Sequence, residues 1–395
     1  MDSHTGTKAA GLTPDDNAGA AGRRRLVLAG QVAFLPTGVL TTLLSPMLPI
    51  LSKRWSLSDA QAGNFFPIQF LSQLAGVLLS GYMLVRVGFR AVFLSGLLLM
   101  AAGSSMLFLG SMQLAMVSVA VYGLGLGLII PTTNLMAAEV SIGSRSAAVS
   151  LLNFYWGLGA VAGSLLIAWA AKYQRVPPFL EAVAVFLLLL ALAVRNLPFP
   201  GPRPSGDAPI RWGVIARNPV TWLFAVVFFL YPGAETCVSG WIGSFVSQMG
   251  MGSAAVAAAM PAFFFAALTA GRGVGGWVLR HLSEQRVLQG GYALAALGIG
   301  MLLRSSNVTE VKISAVLTGL CYATLYPITV ARLSQRYGVE ARSVGSLMFA
   351  LAALGPAALP WLVGMVSQSA GSLRVGLLVP FVATVILLVI HVKDW

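Results

Sequence analysis

The chain has 395 residues, of which 57% are hydrophobic and only 9% are charged, and its mean hydropathy is +0.83. Since a soluble domain carries about 25% charged residues, this composition excludes an ordinary water-soluble protein. The formal charge of +13 would suit a protein that binds nucleic acid, so the positions of the basic residues have to decide that question.

The chain begins with a polar segment rich in Gly and Ala, residues 1–25, which we predict to be a disordered cytoplasmic tail. Arg23 to Arg25 precede an apolar run, as in a signal peptide. The run is too long for one, however, and it lacks a cleavage site of small residues. We expect it to be retained as the first membrane helix.

Twelve apolar spans follow one another, and each is long enough to cross about 30 Å of hydrocarbon as a helix. They lack the strict alternation of barrel strands, so we predict an all-α membrane protein with twelve transmembrane helices. The predicted spans are residues 27–50, 62–84, 91–111, 114–137, 148–171, 178–194, 220–245, 254–279, 288–305, 312–332, 343–367 and 373–391.

The fourth span contains "GLGLGLIIPTTN", residues 123–134, whose glycine spacing resembles that of a nucleotide-binding loop. A dinucleotide loop needs a preceding strand and a following acidic residue inside a soluble unit. Here no charged residue occurs between Arg90 and Glu139. We therefore interpret the glycines as positions where membrane helices approach closely.

Residues 195–217 are basic and rich in proline, and they divide the spans six and six. A shift of about 196 residues aligns the two sets, with "FLPTG" at Phe34–Gly38 opposite "FLYPG" at Phe229–Gly233. The chain therefore looks like a tandem duplication, with a six-helix bundle at 26–194, a cytoplasmic linker and a second bundle with a short tail at 218–395. Further matched pairs are Gly81 with Gly276, Leu84 with Leu279, Gly123 with Gly319, Pro131 with Pro327, Ser150 with Ser346 and Gly159 with Gly355.

The basic residues are distributed unevenly between the two sides that these spans define. With the N-terminus in the cytoplasm, 18 of the 25 Lys and Arg residues fall on the cytoplasmic side and 7 on the outer side. This excess follows the positive-inside rule. It predicts that both termini are cytoplasmic, and it explains the net charge without a nucleic-acid partner.

Two six-helix halves repeated in parallel resemble the layout of a major facilitator superfamily transporter. The segment "GYMLVRVGFR" resembles the family's signature after the second helix, with Gly81, Arg86, Gly88 and Arg90 at its glycine and basic positions. The resemblance implies that this loop helps to lock a cytoplasmic gate. We expect a bulky side chain at either glycine to hinder closure and lower transport, and to leave folding and ligand binding largely intact. Val85 stands where the family usually has aspartate, so the charge-relay form of the lock is not implied.

Three stretches resemble the fucose/galactose–proton symporter branch and its sugar-porter-like relatives. They are "GLGLGLIIPTTN" ending at Asn134, "SLLNFYWGLGA" at Ser150–Ala160 and "GAETCVSGW" at Gly233–Trp241. The acidic positions that symporters of this branch use in the first and fourth helices align with Ser45 and Ile130. The resemblance therefore does not imply proton coupling by their route.

Polar groups at membrane depth are expensive, so they are the first candidates for a site. Most of the twelve acidic residues lie in tails and loops, whereas Glu235 falls about fifteen residues into its span, just after Pro232. Its carboxyl group could bind a proton, a hydroxyl or a cation. Amides and aromatic faces around it would suit a neutral polyhydroxy solute, although such amides also join neighbouring helices. The predicted substrate-binding residues are Gln69, Gln73, Asn134, Asn153, Trp156, Glu235, Tyr322 and Tyr326.

Arg272 lies toward the cytoplasmic end of the eighth span, where we expect a cation that snorkels or pairs at a gate, with Glu139 or Glu340 as its partner. Cys237 and Cys321 fall inside predicted helices and are expected to pack there. The three histidines suit neither a nucleophile pair nor a metal cluster. We therefore expect no enzyme activity, no metal and no cofactor.

The sequence predicts a monomeric secondary transporter of the inner membrane that moves a small polar organic solute, of sugar-like type, by alternating access. An ion gradient or the solute's own gradient must drive it, because the chain has no ATP-binding motif. Coupling to protons is left open, with Glu235 as its candidate. The main alternative is an exporter of amphipathic compounds, and a sensor without transport is a lesser one. The substrate and the direction of transport stay undecided.

Overall fold

A computed structural model gives the conformation of residues 14–140, 145–201, 218–338 and 341–393. Every regular element in these ranges is a helix, and twelve helical spans are long and apolar enough to cross a membrane. The predicted all-α architecture with twelve transmembrane helices is confirmed.

The twelve helices are numbered in chain order, and four of them consist of two segments. They are α1 (Pro14–Thr41 and Leu44–Trp55), α2 (Asp59–Gly63 and Phe65–Arg86), α3 (Gly88–Met106), α4 (Met112–Val140), α5 (Arg145–Lys172), α6 (Val176–Val194), α7 (Pro219–Gln248), α8 (Ala254–His281), α9 (Glu284–Arg304), α10 (Val308–Tyr322 and Leu325–Tyr337), α11 (Ala341–Ala370) and α12 (Leu373–Gly376 and Leu378–Ile390).

All four breaks lie inside spans that the sequence predicted to be continuous. α1 breaks just before Pro46 and α10 just before Pro327, inside the predicted spans 27–50 and 312–332. Proline lacks an N–H group, so it fits the first turn of a helix segment, where N–H groups have no intrahelical partner. Hydropathy alone misses such breaks because it does not depend on backbone hydrogen bonding.

The N-terminus and the linker are only partly described. α1 begins at Pro14, within the segment 1–25 that the sequence predicted to be disordered. Residues 1–13 and most of the linker, residues 202–217, lie outside the described residues. We use "N-terminal half" for α1–α6 and "C-terminal half" for α7–α12.

Each half contains the same helix crossing, made possible by glycine. A Cβ atom at Gly159 would lie 2.1 Å from the Leu35 carbonyl oxygen, so α5 and α1 touch through their backbones. In the C-terminal half, a Cβ atom at Gly355 would lie 1.9 Å from the Phe229 carbonyl oxygen, where α11 meets α7. These positions are 196 and 194 residues apart in the chain.

A second crossing repeats in the same way. A Cβ atom at Gly123 of α4 would lie 2.8 Å from the carbonyl oxygen of Gln69 in α2. One at Gly319 of α10 would lie 2.4 Å from the carbonyl oxygen of Phe264 in α8. The glycines of the apolar stretch at residues 123–134 therefore serve close helix packing, and the two halves follow one packing scheme.

The two halves are joined by hydrogen bonds at one side of the bundle. We call the side that carries the connection between α6 and α7 the linker side, and the opposite side the far side. Between described residues, the hydrogen bonds from one half to the other all involve Asp59 or Asn64, at the far-side start of α2. The far side is therefore closed in this conformation.

Asp59 is the centre of this closure. Gln248 of α7 donates a hydrogen bond of 2.6 Å to its Oδ1, and Ser367 of α11 donates to its Oδ2. Trp361 of α11 donates to Asn64 Oδ1 at 3.1 Å. We call these five residues the far-side clasp. They hold α2 against α7 and α11.

Toward the linker side the halves meet where α5 packs on α8. A Cβ atom at Gly157 would lie 2.5 Å from Thr269 Oγ1, and the rings of Trp156 and Phe265 meet edge to face at 6.2 Å. Asn153, one turn nearer the linker side on the same face of α5, is exposed. The two halves are therefore in close contact at the level of Gly157, and Asn153 lies at the edge of that contact.

Candidate functional site

Glu235 lies in the middle of α7, one turn after Tyr231, and its side chain is partly exposed. Tyr231 is buried, and its hydroxyl group lies 2.7 Å from Glu235 Oε2 and 2.7 Å from the Tyr322 carbonyl oxygen. The hydroxyl proton can therefore be donated to the carboxylate or to the backbone of α10. This arrangement gives a carboxyl group at membrane depth a partner that can respond to its protonation.

Three tyrosines support this carboxyl group. The Tyr231 ring stacks on that of Tyr326 at 5.7 Å and meets that of Tyr322 at 5.4 Å. Tyr322 is fully buried, and its hydroxyl group lies 2.6 Å from Thr384 Oγ1 on α12. The structure therefore gives Tyr322 a supporting position behind Tyr231, rather than the direct substrate contact that the sequence suggested. Tyr326 is partly exposed and can face a solute.

Arg272 of α8 lies next to this cluster and faces the other half. Its guanidinium carbon is 5.8 Å from the centre of the Trp156 ring on α5. It also acts electrostatically on Glu235, although no ion pair joins the two. The expected partnership with Glu139 is not formed, because no ion pair connects Arg272 to it within the described part of the chain. Glu340 lies outside the described residues.

Both the nitrogen and the oxygen of the Gln69 side-chain amide form hydrogen bonds within the protein. Its Nε2 donates to the Thr41 carbonyl oxygen at 2.8 Å, and its Oε1 accepts from the Tyr122 hydroxyl group at 2.9 Å. It is only 1% exposed. Gln69 therefore joins α1, α2 and α4, and it is not free to bind a solute as predicted.

Three other amide side chains, those of Gln73, Asn134 and Asn153, have an oxygen that accepts no hydrogen bond from the described part of the chain. Asn134 donates to the Ile130 carbonyl oxygen at 2.9 Å, and Asn153 donates to that of Val149 at 2.9 Å, both within their own helices. Among the described residues, the buried atoms Asn134 Oδ1 and Gln73 Oε1 have no hydrogen-bond partner. Because buried acceptors are nearly always satisfied, these oxygens call for water or a ligand.

Four of the five predicted gate residues, all except Arg272, lie around the turn between α2 and α3. Gly88 is buried and has a φ of 78°, a conformation that side-chain-bearing residues rarely adopt. We therefore expect a bulky residue at Gly88 to strain the turn and lower stability, rather than to affect transport alone. A Cβ atom at Gly81 would meet nothing within 4 Å. Arg90 donates to the Leu197 carbonyl oxygen at 3.0 Å, and Arg86 lies 5.3 Å from the Tyr82 ring centre.

The sequence analysis did not single out two residues, Tyr231 and Asp59, whose hydrogen bonds the structure shows to be central. Tyr231 stands four residues before Glu235, a spacing that places both on one face of α7, so the pairing was detectable. Asp59 gave no such signal. Its partners Gln248 and Ser367 are 189 and 308 residues away in the chain.

Comparison with known proteins identifies the family. A model of the Major Facilitator Superfamily matches residues 32–312. The chain therefore belongs to this superfamily, as the repeat and the segment at Gly81 to Arg90 predicted. An MFS-type transporter of Yersinia pestis is 24% identical over 361 residues, which cover 89% of this chain and 93% of the relative.

Solved structures share the fold at low sequence identity. The nucleoside transporter NupG gives a TM-score of 0.78 at 11% identity, covering 93% of this chain and 99% of that chain. The fucose:proton symporter FucP of E. coli gives 0.62 at 17% identity, with 93% and 98% covered. At such identities the likeness concerns the fold.

Proposed function

We propose that the protein moves small polar organic solutes of sugar-like type across the inner membrane by alternating access, and that protonation of Glu235 couples this movement to a proton gradient. The observation that carries the proposal is a partly exposed carboxyl group in the middle of α7, bonded to Tyr231, at an interface closed on one side. Polar groups at this depth mark transport pathways and proton relays.

The proposed solute site lies between the halves at the level of Glu235. Asn134, Asn153 and Gln73 offer oxygen acceptors from the N-terminal half, which suit the hydroxyl hydrogens of a polyol. Trp156 and Tyr326 offer flat aromatic faces for its CH groups. Gln69 and Tyr322 support this lining from behind without contacting the solute.

The proposed cycle exchanges closure between the two sides. The far-side clasp closes one side in the present conformation, and the turn with Gly81, Arg86, Gly88 and Arg90 is the proposed gate on the linker side. The open space at Gly81 is then the room that closure fills. The two conformations open the site to opposite sides of the membrane. The solute therefore binds near Glu235 from one side and is released to the other.

Coupling is tested in proteoliposomes with Glu235→Gln, which keeps the size of the side chain and removes its titration. We expect accumulation driven by an imposed pH gradient to be lost, while solute exchange in the absence of a gradient persists. The matched control is Glu181→Gln, an exposed carboxyl at the far-side start of α6. Equal accumulation by Glu235→Gln and the original protein would remove Glu235 from the mechanism.

Orientation is tested by labelling intact cells with an impermeant maleimide, after Cys237 and Cys321 are replaced by Ala. If the linker side is cytoplasmic, a cysteine at Ser205 should resist labelling, because the charge bias places the linker inside. A cysteine at Ser111, in the far-side connection after α3, should react. The reverse pattern would overturn both the orientation and the assignment of the far side as the outer one.

Substrate class is tested by thermal unfolding of the purified protein with neutral sugars and polyols, since a ligand at about 100 times its Kd stabilises by about 2.7 kcal/mol. Stabilisation by amphipathic cations alone would favour the exporter alternative.

A further inference from the structure

Arg272 differs from the other arginines that the structure embeds between helices. Arg374 donates to the carbonyl oxygens of Leu303 and Ser305, each at 2.7 Å, and Arg332 pairs with Glu284 at 3.4 Å. Between described residues, Arg272 donates no hydrogen bond and forms no ion pair. A guanidinium group between membrane helices is costly without an oxygen partner, and the described residues supply none, so water or a ligand has to satisfy its N–H groups.

The position of Arg272 makes it suitable for a ligand. It lies over Trp156 of the opposite half, and aromatic stacking of this kind leaves the N–H edge of the guanidinium available. α5 and α8 also hold the two halves in contact toward the linker side, where Gly157 packs against Thr269. A ligand on Arg272 would therefore touch both halves at once.

Among the described residues, Glu235 is the one anion that competes for Arg272. Arg272 acts electrostatically on Glu235, but the two residues form no ion pair. The packed parts of α11 and α12 contribute Gly355 and Thr384, which do not titrate. In the described part of the chain, the titratable or charged groups that act on Glu235 or respond to it are Tyr231 on α7, Arg272 on α8, and Tyr322 and Tyr326 on α10.

We infer that Arg272, supported by Trp156, binds the carboxylate group of a hydroxylated organic acid. The inference rests on the proposed function and names its substrate class as sugar acids and related hydroxy acids. The guanidinium fork matches a carboxylate through two parallel hydrogen bonds. The free oxygens of Asn134 and Asn153 accept hydroxyl hydrogens from the rest of the molecule.

The same geometry couples the acid to a proton. When Glu235 takes up a proton from solution, the negative charge that competes for Arg272 disappears, and the positive site attracts the substrate carboxylate. When Glu235 releases the proton, its charge opposes that of the substrate, which then leaves. By thermodynamic reciprocity, bound substrate favours proton uptake to the same degree. One proton thus accompanies one acid anion.

The test uses matched pairs of solutes that differ only in a carboxylate replacing a CH₂OH group: glucuronate with glucose, galacturonate with galactose, and glycerate with glycerol. Thermal unfolding of the purified protein is followed against solute concentration at acidic and alkaline pH. We expect at least one acid to stabilise the protein at about one tenth or less of the concentration that its neutral partner needs. Stabilisation by the acid should be stronger at acidic pH than at alkaline pH. In Glu235→Gln it should be independent of pH.

Variants of Arg272 assign the effect to this residue. Arg272→Gln should lose the preference for the acid, while Arg272→Lys keeps a charge without the fork and should retain part of it. Arg286→Gln, which removes an exposed charge at the start of α9, is the matched control and should behave like the original protein. If Arg272→Gln does not fold, the comparison of Arg272→Lys with the original protein carries the test.

Each outcome has one meaning. Equal or better stabilisation by the neutral partners overturns the inference and leaves the proposed function standing. An acid preference that survives in Arg272→Gln, or no stabilisation by any acid, also overturns the inference. If neither acids nor neutral solutes stabilise the protein and amphipathic cations do, the proposed function fails as well.

Discussion

In the N-terminal half α5 crosses α1 at Gly159, and in the C-terminal half α11 crosses α7 at Gly355, 196 residues further along the chain. The crossings at Gly123 and Gly319 are separated by the same 196 residues. Without a hydrophobic force between helices in lipid, membrane helices rely on such close contacts. Both halves therefore keep the glycines, because each half has to pack.

The polar residues at and around Glu235, by contrast, have no polar counterparts in the N-terminal half. A shift of 195 or 196 residues relates each of them to an apolar residue in the N-terminal half. Tyr231, Glu235, Arg272, Tyr322 and Tyr326 correspond to Pro36, Leu40, Val77, Leu126 and Ile130, respectively.

The difference separates what the fold requires from what the function requires. Polar groups at membrane depth cost free energy wherever they occur, so we expect a duplicated chain to keep them only where packing or function uses them. In the proposed site, the C-terminal half supplies the charged groups, and the N-terminal half supplies amide oxygens and Trp156. At the far-side clasp the roles reverse, since Asp59 of the N-terminal half is the carboxylate and Gln248 and Ser367 are its neutral partners.

The largest effect is expected from adding one methyl group at the repeated crossing. Gly159→Ala and Gly355→Ala place a Cβ atom 2.1 and 1.9 Å from a backbone oxygen, so the helices must separate. We expect each to lower the free energy of unfolding by about 3 kcal/mol or more. The measurement is the yield and melting temperature of monodisperse protein in detergent.

A second repeated pair provides the control. Gly81 and Gly276 have nothing within 4 Å of an added Cβ atom, and alanine there should be neutral or stabilising by up to about 1 kcal/mol. If Gly159→Ala were disruptive and Gly355→Ala tolerated, the two halves would not share one packing scheme.

Much of this fold follows from the sequence because lipid imposes local rules. Span length and hydropathy predict the twelve helices, and one offset predicts the repeat. The amides show where local rules stop. Gln69 and Gln73 lie one turn apart on α2 and look equivalent in sequence, yet Gln69 is satisfied by Thr41 and Tyr122 from other helices while Gln73 Oε1 has no partner among the described residues. That distinction depends on tertiary packing.

The partners of Asp59 in the far-side clasp are even harder to predict from the sequence. An aspartate after a serine predicts a helix start, and Ser58 indeed caps the short segment that begins at Asp59, accepting from Gln61. The same aspartate binds residues of two distant helices, and its neighbours in the chain do not specify them. Tyr231 is the opposite case, since its partner Glu235 lies within its own helix.

An intermediate effect is expected when the clasp loses its charge. Asp59→Ala removes the hydrogen bonds that Gln248 and Ser367 donate, and bonds to a carboxylate contribute about 1.5–3 kcal/mol each. The far side should then open more often. We expect a cysteine at Ser45, now 5% exposed, to react with maleimide from the far side at least about tenfold faster.

Glu181→Gln, which removes an exposed far-side carboxylate outside the clasp, should leave that rate unchanged. Should Ser45→Cys react equally with and without Asp59, the clasp would be a static contact. The carboxylate of the N-terminal half would then have no part in closure.

The smallest and most selective effect is expected from removing one hydroxyl group in each half. Tyr122→Phe leaves buried Gln69 Oε1 without its donor, which should cost about 1–3 kcal/mol of stability and leave the pH profile of transport unchanged. Tyr231→Phe removes the partner of Glu235, so it should slow proton-driven accumulation by about three- to tenfold and alter its pH profile. The measurements are melting temperature and uptake into proteoliposomes as a function of pH. If Tyr122→Phe changed the pH profile as much as Tyr231→Phe, titration would not be confined to the C-terminal half, and the division between a packing half and a chemical half would fail.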